Sequence, residues 1–576
     1  AERVGIEEYR SGRSISSERL YGEPGGKIYY VIHYGNLTWE VMELVAEGDM
    51  RLREVQGFAW KNNVDTGIQG CHDGDLYFTL RSDDTLYRFD GEEGAARKVL
   101  RWEDSDIFSS SIMQLWLLGE DRILARCGSG PGYFSSGEEW YLLDRTPVGE
   151  LPEKELVVLA SLDPGLDLRS AVVEYNRQSG RYHCAIGQYG NDSGTGDDTG
   201  ASVRLDAALL SSSPPDILDL GAVDIYKYAG KGILEDLSPY MEGSGTVRRE
   251  DFLDGLLEGY TINGRLVCVP AYFGLDTIVG RESQTGLLEG WGIEDVYTLM
   301  EGHPEMTELV SSGSRRLDEG RAEGKGRDYM LKEFLPAYYL GRFVDWEAGE
   351  CSFDSGEFRE LLLWLERHVE KERPETAAGR DSFSVSCYAP EDALLMEARY
   401  VTFNDLLRIE VQIGGKVRFL GFPTADGRGT AACRVEGKLG MVSNGLHKEG
   451  AWDFLEYFIS RELKDIFALT YLPTRISLLR DVAEKAAAPR PGMVTDYRYI
   501  QIGDDEHVVE GFPQYLTDAL MEHIEGMDFR PRSAAEEQII KIVAEEADTY
   551  YKGDKGLEDV TAVIQNRVEL LLKETH

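Results

Sequence analysis

The sequence predicts an α/β body of two lobes, preceded by an all-β domain of propeller-like blades. Three observations predict it. The chain has 576 residues. Domains run to about 100–200 residues, so one core cannot serve it. Three globular units are expected, two of them able to form one bilobal body. Strand grammar fills residues 27–144, and beyond a linker at Pro147–Lys154 it gives way to alternating strands and helices.

Residues 1–25 are polar and Gly-rich and read as a lead-in. Ile28-Tyr29-Tyr30-Val31-Ile32 is β-branched and aromatic. Leu76, Phe78 and Leu80 alternate with Tyr77 and Thr79, and a turn at Ser82-Asp83-Asp84 leads to Leu86-Tyr87-Arg88-Phe89 and a second turn at Asp90-Gly91. Alternation closed by turn residues marks hairpins. The unit Asp73–Phe78 with Thr85–Asp90 recurs loosely as Leu118–Ala125 with Glu139–Asp144, a spacing near the ~40–45 residues of a propeller blade. Two or three blades are too few to close a ring, which usually takes about four to eight.

The body opens with Leu156-Val-Val-Leu-Ala160, an apolar run of the kind buried on both faces of a parallel sheet. Leu168, Val172, Val173 and Tyr175-Asn176 mark one helix face. A strand at Tyr182–Ile186, a helix at Leu205–Ser211 and a strand at Ile217–Leu220 follow. This alternation predicts a parallel sheet with covering helices. Trp364 and Trp452 sit among apolar residues at helical spacing and read as core.

Composition narrows the function. Hydrophobic residues are 42% and charged residues 28%, as in folded proteins. The formal net charge of −42 repels phosphate, so nucleic-acid binding and adsorption to anionic lipid are set aside. No stretch approaches the ~20 apolar residues of a membrane helix. Ala1-Glu2-Arg3-Val4 has no signal-peptide pattern, so if the protein is exported the signal is missing from this chain. The seven cysteines are scattered without a C-x-x-C, which indicates neither zinc nor a disulfide framework. The odd number leaves a free thiol or an intermolecular bridge. A phosphate-binding P-loop, a G-x-S-x-G elbow and an H-E-x-x-H helix are all missing, and Gly128–Gly132 matches the dinucleotide fingerprint in glycine content only. The oxygen-rich segment Gly190–Gly200 lacks the calcium-loop spacing and reads as a plain loop. No cofactor or metal is expected.

Several segments together resemble the extracellular solute-binding proteins of the maltose-binding type. They are Ala171–Asn176, the Ser-Ser-Pro-Pro-Asp216-Ile-Leu-Asp-Leu220 stretch, Ala229–Tyr240, Ile262–Pro270, Val417–Thr424 with Asp426-Gly427, Lys448–Tyr457, Tyr471–Arg475, and the tail from Ile539–Ala547 to Val560–Val568. They keep the family's order over roughly 420 residues. Met396–Tyr400 departs from the family's Gly-Lys-x-Ala-Met pattern, and residues 1–150 lie outside the resemblance.

The resemblance implies a periplasmic-binding-protein-like body over residues 155–576. Lobe 1 would take about 155–270 plus part of 400–450, and lobe 2 about 275–400 plus 450–576. The lobes would close on a carbohydrate, and the protein would deliver it to the permease subunits of an ABC importer. A monomer at the cell surface, lipid-anchored through a segment absent from this chain, is implied. Two other readings are a sugar hydrolase, whose paired carboxylates a sequence cannot locate, and a sensor or adhesion protein whose β-domain binds a partner.

Sugar hydroxyls need planar donors and acceptors, and the C–H face of a sugar needs an aromatic plate. In open α/β sheets the ligand lies at the carboxyl ends of strands. Candidate ligand contacts follow, each beside a structural alternative. Asp163 follows the first buried strand and could equally start a turn. Tyr189 ends the second strand and could pack the hinge. Asp224 follows the third strand and could cap the next helix. Tyr272 and Phe273 stand where the chain crosses between lobes, with inter-lobe packing as the alternative. Trp346 precedes a Gly turn and could be a surface wedge. Asn404 and Asp405 follow the short strand Tyr400–Phe403. Arg475, at the Pro-Thr-Arg corner, could form a structural ion pair.

Overall fold

The computed structural model describes residues 15–22, 27–34, 39–45, 51–55, 66–72, 74–80, 84–91, 93–119, 121–128, 138–150, 153–190, 199–253, 255–306, 308–312, 326–346, 348–369, 393–463, 470–489, 496–502, 505–527 and 532–575. Most of the Gly190–Gly200 loop lies outside them.

The N-terminal strands form three antiparallel meanders. The first joins β1 (Ile15–Gly22), β2 (Ile28–Tyr34), β3 (Trp39–Val45) and β4 (Arg51–Glu54). The second joins β5 (Thr66–His72), β6 (Asp75–Leu80), β7 (Thr85–Asp90) and β8 (Ala95–Arg101). The third has only β9 (Ile112–Gly119), β10 (Arg122–Gly128) and β11 (Glu138–Asp144). Alternation along β6 explains how they stack. Leu76 and Phe78 pack with Tyr29, Val31 and Val41 of the first sheet. Tyr77, on the opposite face, packs with Leu115, Ile123 and Ala125 of the third. Both faces of the middle sheet are therefore buried, and a period of two carries apolar side chains on each. Trp102 seals the second interface, its indole N–H donating to Thr79 Oγ1 at 2.9 Å.

In the body, β12 (Glu155–Ser161) lies between β13 (Tyr182–Gln188) and β14 (Ile217–Asp219), parallel to both. The strand Leu439–Met441 closes the sheet antiparallel to β14. Two local devices fix it. Asn176, near the end of α1 (Leu166–Gln178), brackets Cys184: its amide donates to the Cys184 carbonyl and its Oδ1 accepts the Cys184 N–H, at 2.9 and 2.8 Å. Asp216 accepts from the Val158 N–H at 3.0 Å and the His447 N–H at 2.9 Å, locking β12 to the start of the helix Lys448–Ser460. The Tyr-Asn and Pro-Pro-Asp signatures are thus fasteners of buried backbone.

The second lobe hangs on one strand. The first half of Tyr272–Arg281 pairs with Ala432–Glu436 and Leu472–Pro473. Its second half pairs with Ala393–Ala398 and Val417–Phe419. The body therefore has two cores joined by this crossing strand. Phe273, Leu275 and Val279 belong to the core of the first lobe, and Ile278 to the core of the second. Helices Ile293–Gly302, Gly356–His368, Ala534–Tyr551 and Leu557–Thr575 bury their apolar faces in the second.

One expected boundary is corrected. Lys448–Ser460 was expected in lobe 2 by its place in the chain, but Ala451, Phe454 and Phe458 lie in the first core. Phe454 meets Tyr175 of α1 edge-on at 5.1 Å. The following helices Ile476–Ala487 and Gln514–Glu525 also contribute to that core, which leaves the last two helices to lobe 2. Trp364 is buried in the second core as expected, while Trp452 is only partly buried against the first. Cys127, Cys184, Cys268, Cys351 and Cys433 are free thiols.

Candidate functional site

The carboxyl ends of β12, β13 and β14 lie beside the hinge strands, and a row of charged side chains joins them. The row starts at Asp219, the last residue of β14. Its Oδ2 accepts from Ser161 Oγ at 2.6 Å and its Oδ1 from the Gly221 N–H at 2.9 Å. Burial pushes its carboxyl up, against those hydrogen bonds and the Lys438 charge, and Asp163 raises it a little further. The next carboxylate, Glu436, is pushed up by burial and held back by Lys438 and Arg434.

Arg434 is two residues upstream on the same hinge strand. Its Nη2 and Nε donate to Asp276 Oδ2 on the crossing strand, at 2.5 and 3.1 Å. Its Nη1 donates to the Tyr400 hydroxyl at 2.6 Å, and its guanidinium lies 4.5 Å from the centre of that ring. Asp276 is 7% exposed, whereas the Arg434 side chain is 42% exposed. A buried carboxylate thus anchors a guanidinium that reaches solvent.

The backbone explains why Tyr400 stands there. It has φ of 52°, a left-handed conformation uncommon outside glycine. The Asp276 carboxylate holds it by accepting its N–H at 2.9 Å. A buried acid thus keeps this tyrosine in a sparsely populated conformation. Tyr471 meets Tyr400 edge-on at 6.4 Å and Tyr272 at 5.2 Å. On the far side, Arg399 pairs with the buried Glu397 at 3.0 Å. Glu333, on the π-helical turn Met330–Phe334, is within electrostatic reach of Arg399, Arg434 and Arg532. Single π turns recur at functional sites.

Of the residues expected from sequence, Asp163 and Tyr189 come to this junction. Asp163 is exposed after β12. Tyr189 is half-buried after β13, and its N–H donates to the Ser161 carbonyl at 2.8 Å. The others have different work. Tyr272 is buried and donates to Asp167 Oδ2 at 2.5 Å, beside the ion pair of Asp167 with Arg461. Phe273 is wholly buried, because residues of the crossing strand face packed cores on both sides. Asp224 caps helix Ile225–Gly230, accepting the N–H groups of Tyr226 and Lys227. Asp405 accepts the Thr402 N–H and hydroxyl, which closes the capping box of the turn Phe403–Asp405, and pairs with Arg408 of the helix Leu406–Ile413. Asn404 is exposed in the turn before that helix. Arg475 donates to Ser460 Oγ and the Thr246 carbonyl and pairs with Asp251 at 3.5 Å. Trp346 follows the strand Val344–Asp345 of a small hairpin, whose other strand, Glu350–Cys351, is tied to Gln565 of the last helix.

Sequence reading missed Asp219, Asp276, Tyr400, Arg434 and Glu436. Asp276 and Arg434 are 158 residues apart. One signal was present: a lone acid inside the apolar run Tyr272–Val279 has to be paired.

No family model matches the chain, and no curated protein matches it. Among solved structures, it is similar to the sugar-binding protein MalE from the phytopathogen Xanthomonas citri. That match has 15% identity, covers 73% of this chain and 98% of that one, and has a TM-score of 0.48. The cyclic alpha-maltosyl-1,6-maltose binding protein from Arthrobacter globiformis matches at 15% identity, over 73% of this chain and 100% of that one, with a TM-score of 0.43. Maltose-bound MalE3 of T. maritima matches at 18% identity, over 72% and 99%, with a TM-score of 0.41.

Proposed function

We propose that this chain is the extracellular solute-binding component of an ABC importer. It holds a carbohydrate at the junction of its two lobes and delivers it to a membrane permease, without transforming it. The observation that carries this reading is the polar row Asp219–Glu436–Arg434–Asp276–Tyr400, which runs from the end of β14 to the strand that crosses between the lobes. Acids set beside a guanidinium suit hydroxyl groups, which donate and accept at once. The Tyr400 and Tyr189 rings offer apolar faces for the C–H side of a sugar. A hinge-bending closure would hide such a ligand from water. The order of family-like segments supports the same role.

Asp163, Tyr189, Asp219, Tyr400 and Arg434 are the contacts we assign to the ligand. In this reading residues 1–150 form an open propeller-like domain of three stacked blades, residues 155–576 form the binding body, and the protein works at the cell surface.

The test is a thermal-shift screen against mono- and oligosaccharides, with product analysis of the same mixtures. A ligand bound only by the folded chain stabilises it by RT ln(1 + [L]/Kd), about 2.7 kcal/mol at a hundredfold excess over Kd. One sugar class should raise the melting temperature and be recovered intact. A flat panel would refute the carbohydrate assignment, and a consumed sugar would make the protein an enzyme.

A further inference from the structure

Arg169, in the first turn of α1, joins two loops of the body to the N-terminal domain. Its Nη1 donates to Glu103 Oε1 at 2.7 Å, and Glu103 belongs to the N-terminal domain, just beyond β8. Its Nη2 donates to Gln188 Oε1 at 2.6 Å, next to Tyr189. Its Nε donates to the Pro164 carbonyl at 3.2 Å, next to Asp163. Both charged side chains are buried, Arg169 at 8% and Glu103 at 5% exposed. Glu103 is held in turn by Arg101 Nη2 at 2.8 Å, and its N–H donates to Asp84 Oδ2 at 2.8 Å. Arg101 Nη2 also reaches the Ile186 carbonyl of β13 at 3.2 Å.

A guanidinium is a rigid planar fork, so it fixes its acceptors relative to one another. It stays in a buried site only while a carboxylate balances it. Without Glu103, Arg169 would turn to water and release both loops. We propose that the N-terminal domain is part of the frame of the binding site. Glu103 retains Arg169, and Arg169 is a positioning residue that sets the two loops carrying Asp163 and Tyr189. The inference rests on the reading that this junction binds solute.

Hydrogen exchange of the full chain without solute tests it, with the Tyr189 amide as reporter. Glu103→Leu keeps volume and removes the acceptor, whereas Glu103→Gln keeps an acceptor oxygen. The Leu variant should speed Tyr189 exchange about tenfold or more, and the Gln variant should recover part of the protection. Amides of Tyr272–Arg281 should not change. Native exchange at Tyr189 in the Leu variant would overturn the proposal, since Glu103 would then only fill space. Should that variant unfold the N-terminal domain, Arg169→Lys decides. It keeps the charge pair but cannot span three acceptors, so it should loosen Tyr189, and native exchange there overturns the proposal.

Titration with maltotriose forms a second arm. Affinity should fall about tenfold in Glu103→Leu and recover in part in Glu103→Gln; an affinity unchanged by Glu103→Leu would overturn the coupling to binding. A native chain that ignores maltotriose counts against that sugar as ligand, and the exchange results still decide the positioning.

Discussion

Asp276 shows how one side chain can organise a site. It is buried, so its charge has to be balanced, and it uses one oxygen for Arg434 and the other for the Tyr400 N–H. Arg434→Met leaves that acid without its guanidinium. Full burial of both partners would make the loss about 3–5 kcal/mol. Arg434 is half in solvent, so about 1–2 kcal/mol is expected in urea unfolding. Binding of the sugar found in the thermal-shift screen should weaken at least tenfold by titration, because the variant also removes a donor at the junction. Unchanged affinity would take Arg434 out of the site. Asp84 supplies a pH effect at the same scale. Burial first, and then the Glu103 charge, pushes its carboxyl up to about 7. The folded chain therefore keeps a proton that the unfolded chain releases near pH 4. The stability Asp84 contributes is complete below that pH and is lost as pH rises through about 7. Asp84→Asn should remove this slope between about pH 4 and 7, which calorimetry of the two chains can check; parallel slopes would refute it.

At the scale of elements, the sequence was readable wherever a pattern repeats locally. The run Leu156–Ala160 became β12, buried between two parallel neighbours, and the helical face of Leu168, Val172 and Tyr175 became α1. Asp163 and Tyr189 could be placed because strand ends follow from strand positions. The hinge could not be read in the same way. Tyr272 and Phe273 looked available for a ligand, yet the crossing strand is packed on both faces, and pattern alone does not show which cores flank it. Arg434 and Tyr400 depend on pairing across two other strands. The helix Lys448–Ser460 adds a prediction of packing. A Cβ on Gly450 would lie 2.7 Å from Tyr182 Cδ1 and from Val157 Cγ2. Gly450→Ala should therefore cost about 1–3 kcal/mol by overpacking, although alanine favours helices. Gly356, at the start of Gly356–His368, has open space at its Cβ position. Gly356→Ala should stabilise by up to about 1 kcal/mol. Equal signs for the two in denaturant unfolding would contradict this account of the helix–sheet contact.

At the scale of the whole molecule, the clusters buried between the N-terminal sheets are separate from the two cores of the body. Among the described residues, contacts between the two parts include the Glu103–Arg169 hub, Arg101 on the Ile186 carbonyl, Asp106 beside Asn176, and Arg177, which donates to the Asp106 carbonyl, pairs with Glu139 and lies over Tyr141 of β11. Separate cores predict that the parts unfold as two cooperative units. One buried group in each part, Asp84 in the domain and His523 in the body, responds to pH with opposite sign. In the body, His523 is buried on Phe419 and shares a hydrogen bond of 2.8 Å with Thr277 Oγ1. Burial lowers its pKa to about 4. The unfolded chain binds a proton near pH 6.5 that the folded body refuses. The stability His523 contributes is thus complete above that pH and is lost as pH falls towards 4. Acidification from pH 6.5 to 4.5 should lower the transition of the body relative to that of a His523→Gln chain, which keeps a partner for Thr277. Over the same range Asp84 should raise the transition of the N-terminal domain relative to that of the Asp84→Asn chain. Each variant should move one calorimetric transition and leave the other in place. If both variants moved a single shared transition, the hub would be fusing the domain and the body into one cooperative unit, and its influence could not be confined to the loops at Asp163 and Tyr189.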